Sequence, residues 1–204
     1  MLRISNKSDS FELAKIHKNS YSANHFTASM PISLLQIYYE MFYTTKVSII
    51  VSSKENKNGL EDIDGFAVFG SGIPEIISRF EREYRLAIIR AGMNNPVLFF
   101  KKAALRVLAI LSPKTHHTPS DFLLLSIAVN DKGKGIGKSL LNEMINMAHD
   151  IDVNVIGLYV NIDNIKAINA YLVSGFKIKE ELRNQYYMEL SLDNKIGNND
   201  FKSI

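Results

Sequence analysis

The stretch Ser126–Leu141, SIAVNDKGKGIGKSLL, narrows what this chain can fold into more than any other. Leu123–Val129 is an unbroken apolar run of strand length, the pattern of a strand covered on both faces. Asn130 and Asp131 end it, and Gly133, Gly135 and Gly137 permit a tight turn. From Ile136 onward, Leu140, Leu141, Met144, Ile145 and Ala148 recur at helical spacing. The stretch therefore reads as strand, glycine turn and helix. Such a turn aims several backbone N–H groups and the positive end of a helix dipole at one spot, which suits a phosphate or pyrophosphate. Lys132, Lys134 and Lys138 add positive charge there.

Two familiar phosphate fingerprints fail on spacing. A P-loop ends in Gly-Lys-Ser/Thr, which Gly137-Lys138-Ser139 supplies, but its leading glycine would fall on Lys132. A dinucleotide fingerprint, G-x-G-x-x-G, meets Lys138 or Leu140 where its third glycine belongs. A third pattern fits. Lys132-Gly133-Lys134-Gly135-Ile136-Gly137 resembles the acyl-CoA loop of the GCN5-related N-acetyltransferases (GNAT family), with Lys where that family has Gln or Arg. Downstream, after an apolar strand at Val155–Val160, the residues Asn164, Ala167, Tyr171, Gly175 and Phe176 match the family's second pattern, N-x-x-A-x-x-x-Y-x-x-x-G-F. The two motifs stand in the family's order, with a helix and a strand between them.

This resemblance implies an α/β fold: a single domain with a mixed, mostly antiparallel sheet flanked by helices. It implies acetyl-CoA as co-substrate and a primary amine as acceptor. The fourth and fifth strands would splay, with Ile127, Ala128 and Val129 offering backbone groups to the pantetheine arm. One N–H there could stabilise a tetrahedral oxyanion. Lys132, Gly133, Lys134, Gly135, Ile136, Gly137 and Lys138 would hold the pyrophosphate. Asn161, Asn164 and Ala167 would border the pantetheine, Asn164 alternatively serving only as a helix cap. Tyr171 would be the general acid for the leaving thiolate, the competing reading being a core tyrosine.

Elsewhere the chain constrains by exclusion. Its 204 residues suffice for one domain with a sizeable core, and 46% hydrophobic with 22% charged residues is ordinary globular composition. A net charge of +3 without a long basic run gives no support for a nucleic-acid partner. The lack of cysteine excludes disulfides, thiolate metal sites and a cysteine nucleophile, and it is compatible with a reducing cytoplasm, where the protein is expected. No metal site is expected. MLRISNKSDS has no apolar core of signal-peptide length, and no run approaches the length of a membrane span.

In order, Leu2–Ile4 reads as a strand, Phe11–Ile16 as a helix capped by Ser8–Ser10, and Tyr21–Met30 as a loop. Pro31 opens a second helix reaching Phe42. Val47–Val51 and Gly65–Phe69 read as strands around a polar turn, Ser52–Asp64. Gly175–Leu182 and Tyr186–Leu190 are the last two strands, and residues 193–204 a frayed polar tail. The family's first two helices usually wall the acceptor pocket.

Residues 71–120 form an insertion between the third and fourth strands. One helix is expected from Pro74 to Ala91, broken by Gly92–Pro96, and an apolar stretch with three basic residues at Val97–Leu111. It reads as a helical pair adding core, as a cap shaping the acceptor site, or as a basic amphipathic segment making peripheral contact with a membrane. The general base is open among Asp121, His116 and His117, with a water chain or water held by Ser126 as alternatives. Function reads first as acetyl transfer to a small amine, an amino sugar or its nucleotide-linked form. Transfer to a peptide amine and a non-catalytic acyl-CoA sensor are the alternatives. Oligomeric state is not readable.

Overall fold

The structure, a computed structural model, describes residues 1–21, 27–93, 118–131 and 133–192. The first half runs β1 (Leu2–Ile4), α1 (Ser10–Ser20), α2 (Ile32–Glu40), β2 (Val47–Glu55), β3 (Glu61–Ser71), α3 (Ile73–Glu83) and α4 (Arg85–Met93). The second half runs β4 (Phe122–Val129), α5 (Ile136–Asp150), β5 (Val155–Asn161), α6 (Ile165–Val173), β6 (Lys177–Leu182) and β7 (Gln185–Ser191). The strands form one seven-stranded sheet in the order β1-β2-β3-β4-β5-β7-β6. Every neighbouring pair is antiparallel except β4 and β5.

Alternation along the strands divides the core between the two faces. On one face, Leu13 and Ile16 of α1, Leu35 and Tyr39 of α2 and Phe80 of α3 pack on Ile49, Phe66, Val68 and Leu123. On the other, Leu140, Leu141 and Met144 of α5 and Ile168 of α6 pack on Phe69, Leu124, Ile156 and Leu158. Leu123 and Leu124, adjacent in β4, thus belong to opposite layers, which is why β4 reads as a continuous apolar run.

Three sequence expectations change. β2 and β3 extend well into the polar segment, because Lys54 and Glu55 pair with Asp62 and Glu61 and leave only a short turn bonded through Asn56. The expected single helix after Pro74 is two, interrupted at Tyr84, whose ψ of 23° departs from the helical value. Helix α4 then runs through Gly92 rather than stopping before it. The Val97–Leu111 stretch, and with it the proposed membrane contact, lies outside the described residues, as does the 193–204 tail. Among the described residues no helix is long and apolar enough to cross a membrane.

The start of α1 is fastened to the sheet by charge. Arg3 of β1 bonds Asp9 at 2.8 Å and Glu61 at 2.7 Å, while Asp9 also accepts from the Asn6 N–H and the Ser5 hydroxyl. Burial pushes the Asp9 carboxyl up. Arg3, the Asn6 N–H and Ser5 together outweigh that and hold it below its ordinary value.

Candidate functional site

The sheet splits at its middle. β3 pairs with β4 along its length, and β5 pairs with β7 likewise, yet β4 and β5 share only Leu123↔Gly157 and Leu124↔Leu158. The split begins at a bulge: Ser126 opposes Val68 and Leu124 opposes Phe69, so Leu125 is the extra residue. Beyond it, β4 has a backbone edge that β5 does not cover, a template for an extended ligand. Ile127, Ala128 and Val129 lie on this stretch. Ala128 is buried in the α1–α2 layer, so only its backbone can serve, and the Val129 carbonyl already accepts a 2.8 Å bond from Ser20.

At the open end of β4 the chain enters the glycine turn. Gly133 and Gly135 have φ of 91° and 78°, the left-handed region, and a Cβ on either would meet nothing within 4 Å. Glycine is required there by the backbone, and the space above it is open. Gly135 is the N-cap of α5 and offers no side-chain cap. The first N–H groups of a 15-residue helix therefore point into that space with the dipole behind them. Lys138 lines the cleft beside the helix start. Lys134 instead reaches back to Asp131 at 2.8 Å, and Lys54 of β2 stands 3.7 Å from the same carboxylate. These ammonium groups, Lys134 first, hold the exposed Asp131 carboxyl below its usual range. Lys132 lies outside the described residues.

Between β4, α5 and α6 is a cleft of about 220 Å³, bordered by Ile127, Gly137, Lys138, Ala167, Tyr171 and Ser174 among others. Both sequence motifs thus meet in one place. Ile136, the first residue of α5, packs into the second core layer beside it. Burial pushes the Tyr171 hydroxyl well above its ordinary pKa, and the Tyr21 hydroxyl adds to the shift. Tyr171 is therefore protonated at neutral pH and able to donate. Asn164 caps α6, its side-chain oxygen accepting from the Ala167 N–H at 3.3 Å. Asn161, at the end of β5, accepts from the Gln185 amide at 3.2 Å.

Before the bulge, at Leu123–Leu125 of β4, lies a second cavity, about 340 Å³, between α3, β4 and β5. Leu123, Leu125, Ile73, Pro74 and Ile77 make most of its wall, and Ser78, Glu81 and Tyr159 bring polar groups. Of the first residues after β3, Phe80 is buried under Tyr38, and Ile77 and Glu81 line the cavity.

Of the base candidates, Asp121 is exposed just before β4, at the end where β4 and β5 remain paired, so its carboxylate is not at the split. His116 and His117 lie outside the described residues. Apart from Ser126, already a candidate to hold a water, the polar groups on the α1–α2 side of β4 carry no sequence signal. Ser126 Oγ is 2.8 Å from the Tyr21 hydroxyl; the Tyr39 hydroxyl is 2.6 Å from Nδ1 of His17, whose Nε2 is 2.8 Å from Thr27 Oγ1. No motif marks these residues, which come from α1, the segment between α1 and α2, α2 and β4.

No family profile and no curated protein matches this sequence. Solved structures do. A ribosomal-protein-alanine N-acetyltransferase from Brucella melitensis is 16% identical with a TM-score of 0.59, over 94% of this chain and 99% of that one. An N-acetyltransferase from Staphylococcus aureus is 18% identical at a TM-score of 0.57, over 95% and 98%. The paia N-acetyltransferase from Thermoplasma acidophilum, solved in complex with coenzyme A, is 14% identical at 0.57, over 94% and 98%. At such identities the likeness is one of fold: this chain has the fold of the GNAT acetyltransferases.

Proposed function

With that fold as the premise, we propose that the protein is an acetyl-CoA-dependent N-acetyltransferase acting on the primary amine of a small molecule. The observation that carries this reading is the split between β4 and β5, with a cleft bordered by Ile127 beyond the bulge and a cavity bordered by Leu123–Leu125 before it.

The residues suit the co-substrate on three counts. The start of α5 has no side-chain cap, the glycine turn lets an anion approach the backbone without a Cβ, and β4 has an edge that β5 leaves uncovered. Gly135, Gly137 and Lys138 would hold the pyrophosphate, joined by Lys134 once it exchanges Asp131 for the ligand. Ile127 and Ala128 would pair their backbone with the pantetheine. Bound there, acetyl-CoA supplies a thioester whose acyl carbon an amine attacks and whose sulfur departs. Tyr171, held protonated by burial, would give its proton to that sulfur. A β4 N–H at the bulge would stabilise negative charge on the carbonyl oxygen. Most of the acceleration comes from holding amine and thioester together.

The acceptor would enter through the second cavity. Its size lies near the lower end of the roughly 300–1,000 Å³ usual for small-molecule sites. Its lining favours an amine on a partly apolar body over a heavily hydroxylated amino sugar, with the Glu81 carboxylate attracting the ammonium. An extended peptide would need a longer groove than the described residues provide.

The test is calorimetric titration with acetyl-CoA, followed by a CoA-release screen over aromatic and aliphatic amines, polyamines, amino sugars and short peptides. Binding with release for small amines supports the reading. Binding with no release for any amine would move it to a sensor, and absence of binding would overturn it.

A further inference from the structure

The turn after β4 carries a carboxylate in the place where an anion is to bind. Asp131 stands two residues before Gly133, and its Oδ2 accepts from the Lys134 ammonium at 2.8 Å. The Lys54 ammonium is 3.7 Å from the same oxygen. Lys54 comes from a distant part of the chain. The register of β4 ends at Val129 opposite Gly65, but the β2–β3 hairpin runs on past it. There the Asn130 N–H donates to the Asp64 carbonyl at 2.8 Å, and Lys54 pairs with Asp62. The side chains of Asp131, Lys54 and Lys134 all reach solvent, so each can be replaced without opening the core. The bond to Asp131, with a smaller pull from Asp64, holds the Lys134 ammonium above its ordinary pKa. Lys134 is therefore charged at neutral pH, yet it is directed at Asp131 rather than at the open space above Gly133 and Gly135. Were it to turn to a pyrophosphate, a bare carboxylate would be left in the same turn, repelling the ligand. One lysine cannot serve two anions.

We propose that Lys54 is the positioning residue that releases Lys134 to the co-substrate: as acetyl-CoA arrives, Lys134 turns from Asp131 to the pyrophosphate, and Lys54 closes on the carboxylate that Lys134 has left. This rests on the reading above, and only on its co-substrate half. At 3.7 Å the Lys54 ammonium is an ion-pair partner of Asp131 without being hydrogen-bonded to it, and a small rotation of its four-carbon stem closes the gap. The charges balance throughout. Before binding, two ammonium groups face one carboxylate; afterwards Lys54 neutralises Asp131, while Lys134 joins Lys138 and the uncapped start of α5 in facing the pyrophosphate. Lys54 acts through Asp131 and does not touch the ligand. The extension of β2 through its polar segment is what carries this ammonium alongside the turn.

The experiment is a double-mutant cycle: calorimetric titration of acetyl-CoA into the full chain, Lys54→Met, Asp131→Asn and the double variant. The exchange predicts that Lys54→Met weakens acetyl-CoA binding about fivefold at low salt, that the loss fades toward high salt, and that Lys54→Arg restores wild-type affinity. Asp131→Asn should bind acetyl-CoA at least as tightly as the wild type, because no carboxylate then holds Lys134 or repels the ligand. In that background Lys54→Met should have no further effect. Were the ion pair only a brace for the turn, losing either partner would weaken binding alike, so a fivefold loss in Asp131→Asn would overturn the exchange. A loss from Lys54→Met that persists with Asp131→Asn would overturn it too, by showing that Lys54 touches the ligand itself. So would wild-type affinity in Lys54→Met. Each of these leaves acetyl-CoA as the co-substrate. Absence of binding in both the wild type and Asp131→Asn would overturn the co-substrate reading on which the exchange rests.

Discussion

The two faces of the split sheet are built from opposite kinds of chain. The cleft beside α5 draws all its residues from one run, Ile127 to Ser174, in which each element is followed directly by the next. The cavity beside α3 is assembled from α3, β4 and β5, and on the α1–α2 side of β4 the hydroxyls of Tyr21 and Ser126, 105 positions apart in sequence, meet. A cleft made by consecutive elements is specified by local turn and capping chemistry. A cavity made by distant elements is specified by packing, and its composition can change without disturbing the cleft.

That independence can be broken by substitution, and the largest effect is expected in the cleft. A Cβ at Gly137 would sit 4.0 Å from Ile127 and Val129, an ordinary contact, so Gly137→Val should fold. Its side chain would occupy the space assigned to the pantetheine, costing on the order of 100-fold in acetyl-CoA affinity by calorimetry. Unchanged affinity would mean the ligand lies elsewhere. Tyr171→Phe should slow acetyl transfer by about 100-fold and leave acetyl-CoA binding intact; a loss of binding instead would make Tyr171 a packing residue.

The acceptor face should respond separately. Ser78 is exposed on α3 at the edge of the second cavity, so Ser78→Trp should be tolerated by the fold while raising the amine KM by about tenfold. An equal change in acetyl-CoA affinity would show that the two faces are coupled. The smallest effect concerns α1, which brings His17 and Tyr21 to this face. Because the Asp9 carboxyl is held below its ordinary value, its stabilising contribution is complete above the unfolded pKa, about 3.9, and is lost as pH falls through the lower folded value. Asp9→Asn should therefore cost about 1–3 kcal/mol at neutral pH and flatten the acid side of the stability curve in denaturant titrations at several pH values.

The same contrast explains how much was legible in the sequence. The strand at Leu123–Val129, the glycine turn and the helix after it announce themselves through an apolar run, three glycines and helical periodicity, all local signals. Tyr171 and Ala167 are marked only by the resemblance of this helix to the family's second pattern, and the structure brings both to the cleft. The reach of Lys54 to Asp131 was not legible, since it depends on β2 extending through a polar segment that alone looks like a turn. His17 and Tyr39 were hidden for a different reason. At their positions in α1 and α2 they fall on the buried stripe that periodicity assigns to packing, and only the neighbours across the layer reveal hydrogen-bonded rows. The break at Tyr84 was likewise invisible, as apolar residues continue at helical spacing on both sides of it.

The central claim is that the uncovered edge of β4 and the turn after it receive acetyl-CoA. Backbone hydrogen exchange with and without acetyl-CoA tests it residue by residue. The claim predicts slowed exchange at Ile127–Val129, at the Gly135–Ser139 amides and around Tyr171, with little change in β6 and β7. Protection confined to other elements, or no protection anywhere at saturating acetyl-CoA, would contradict it.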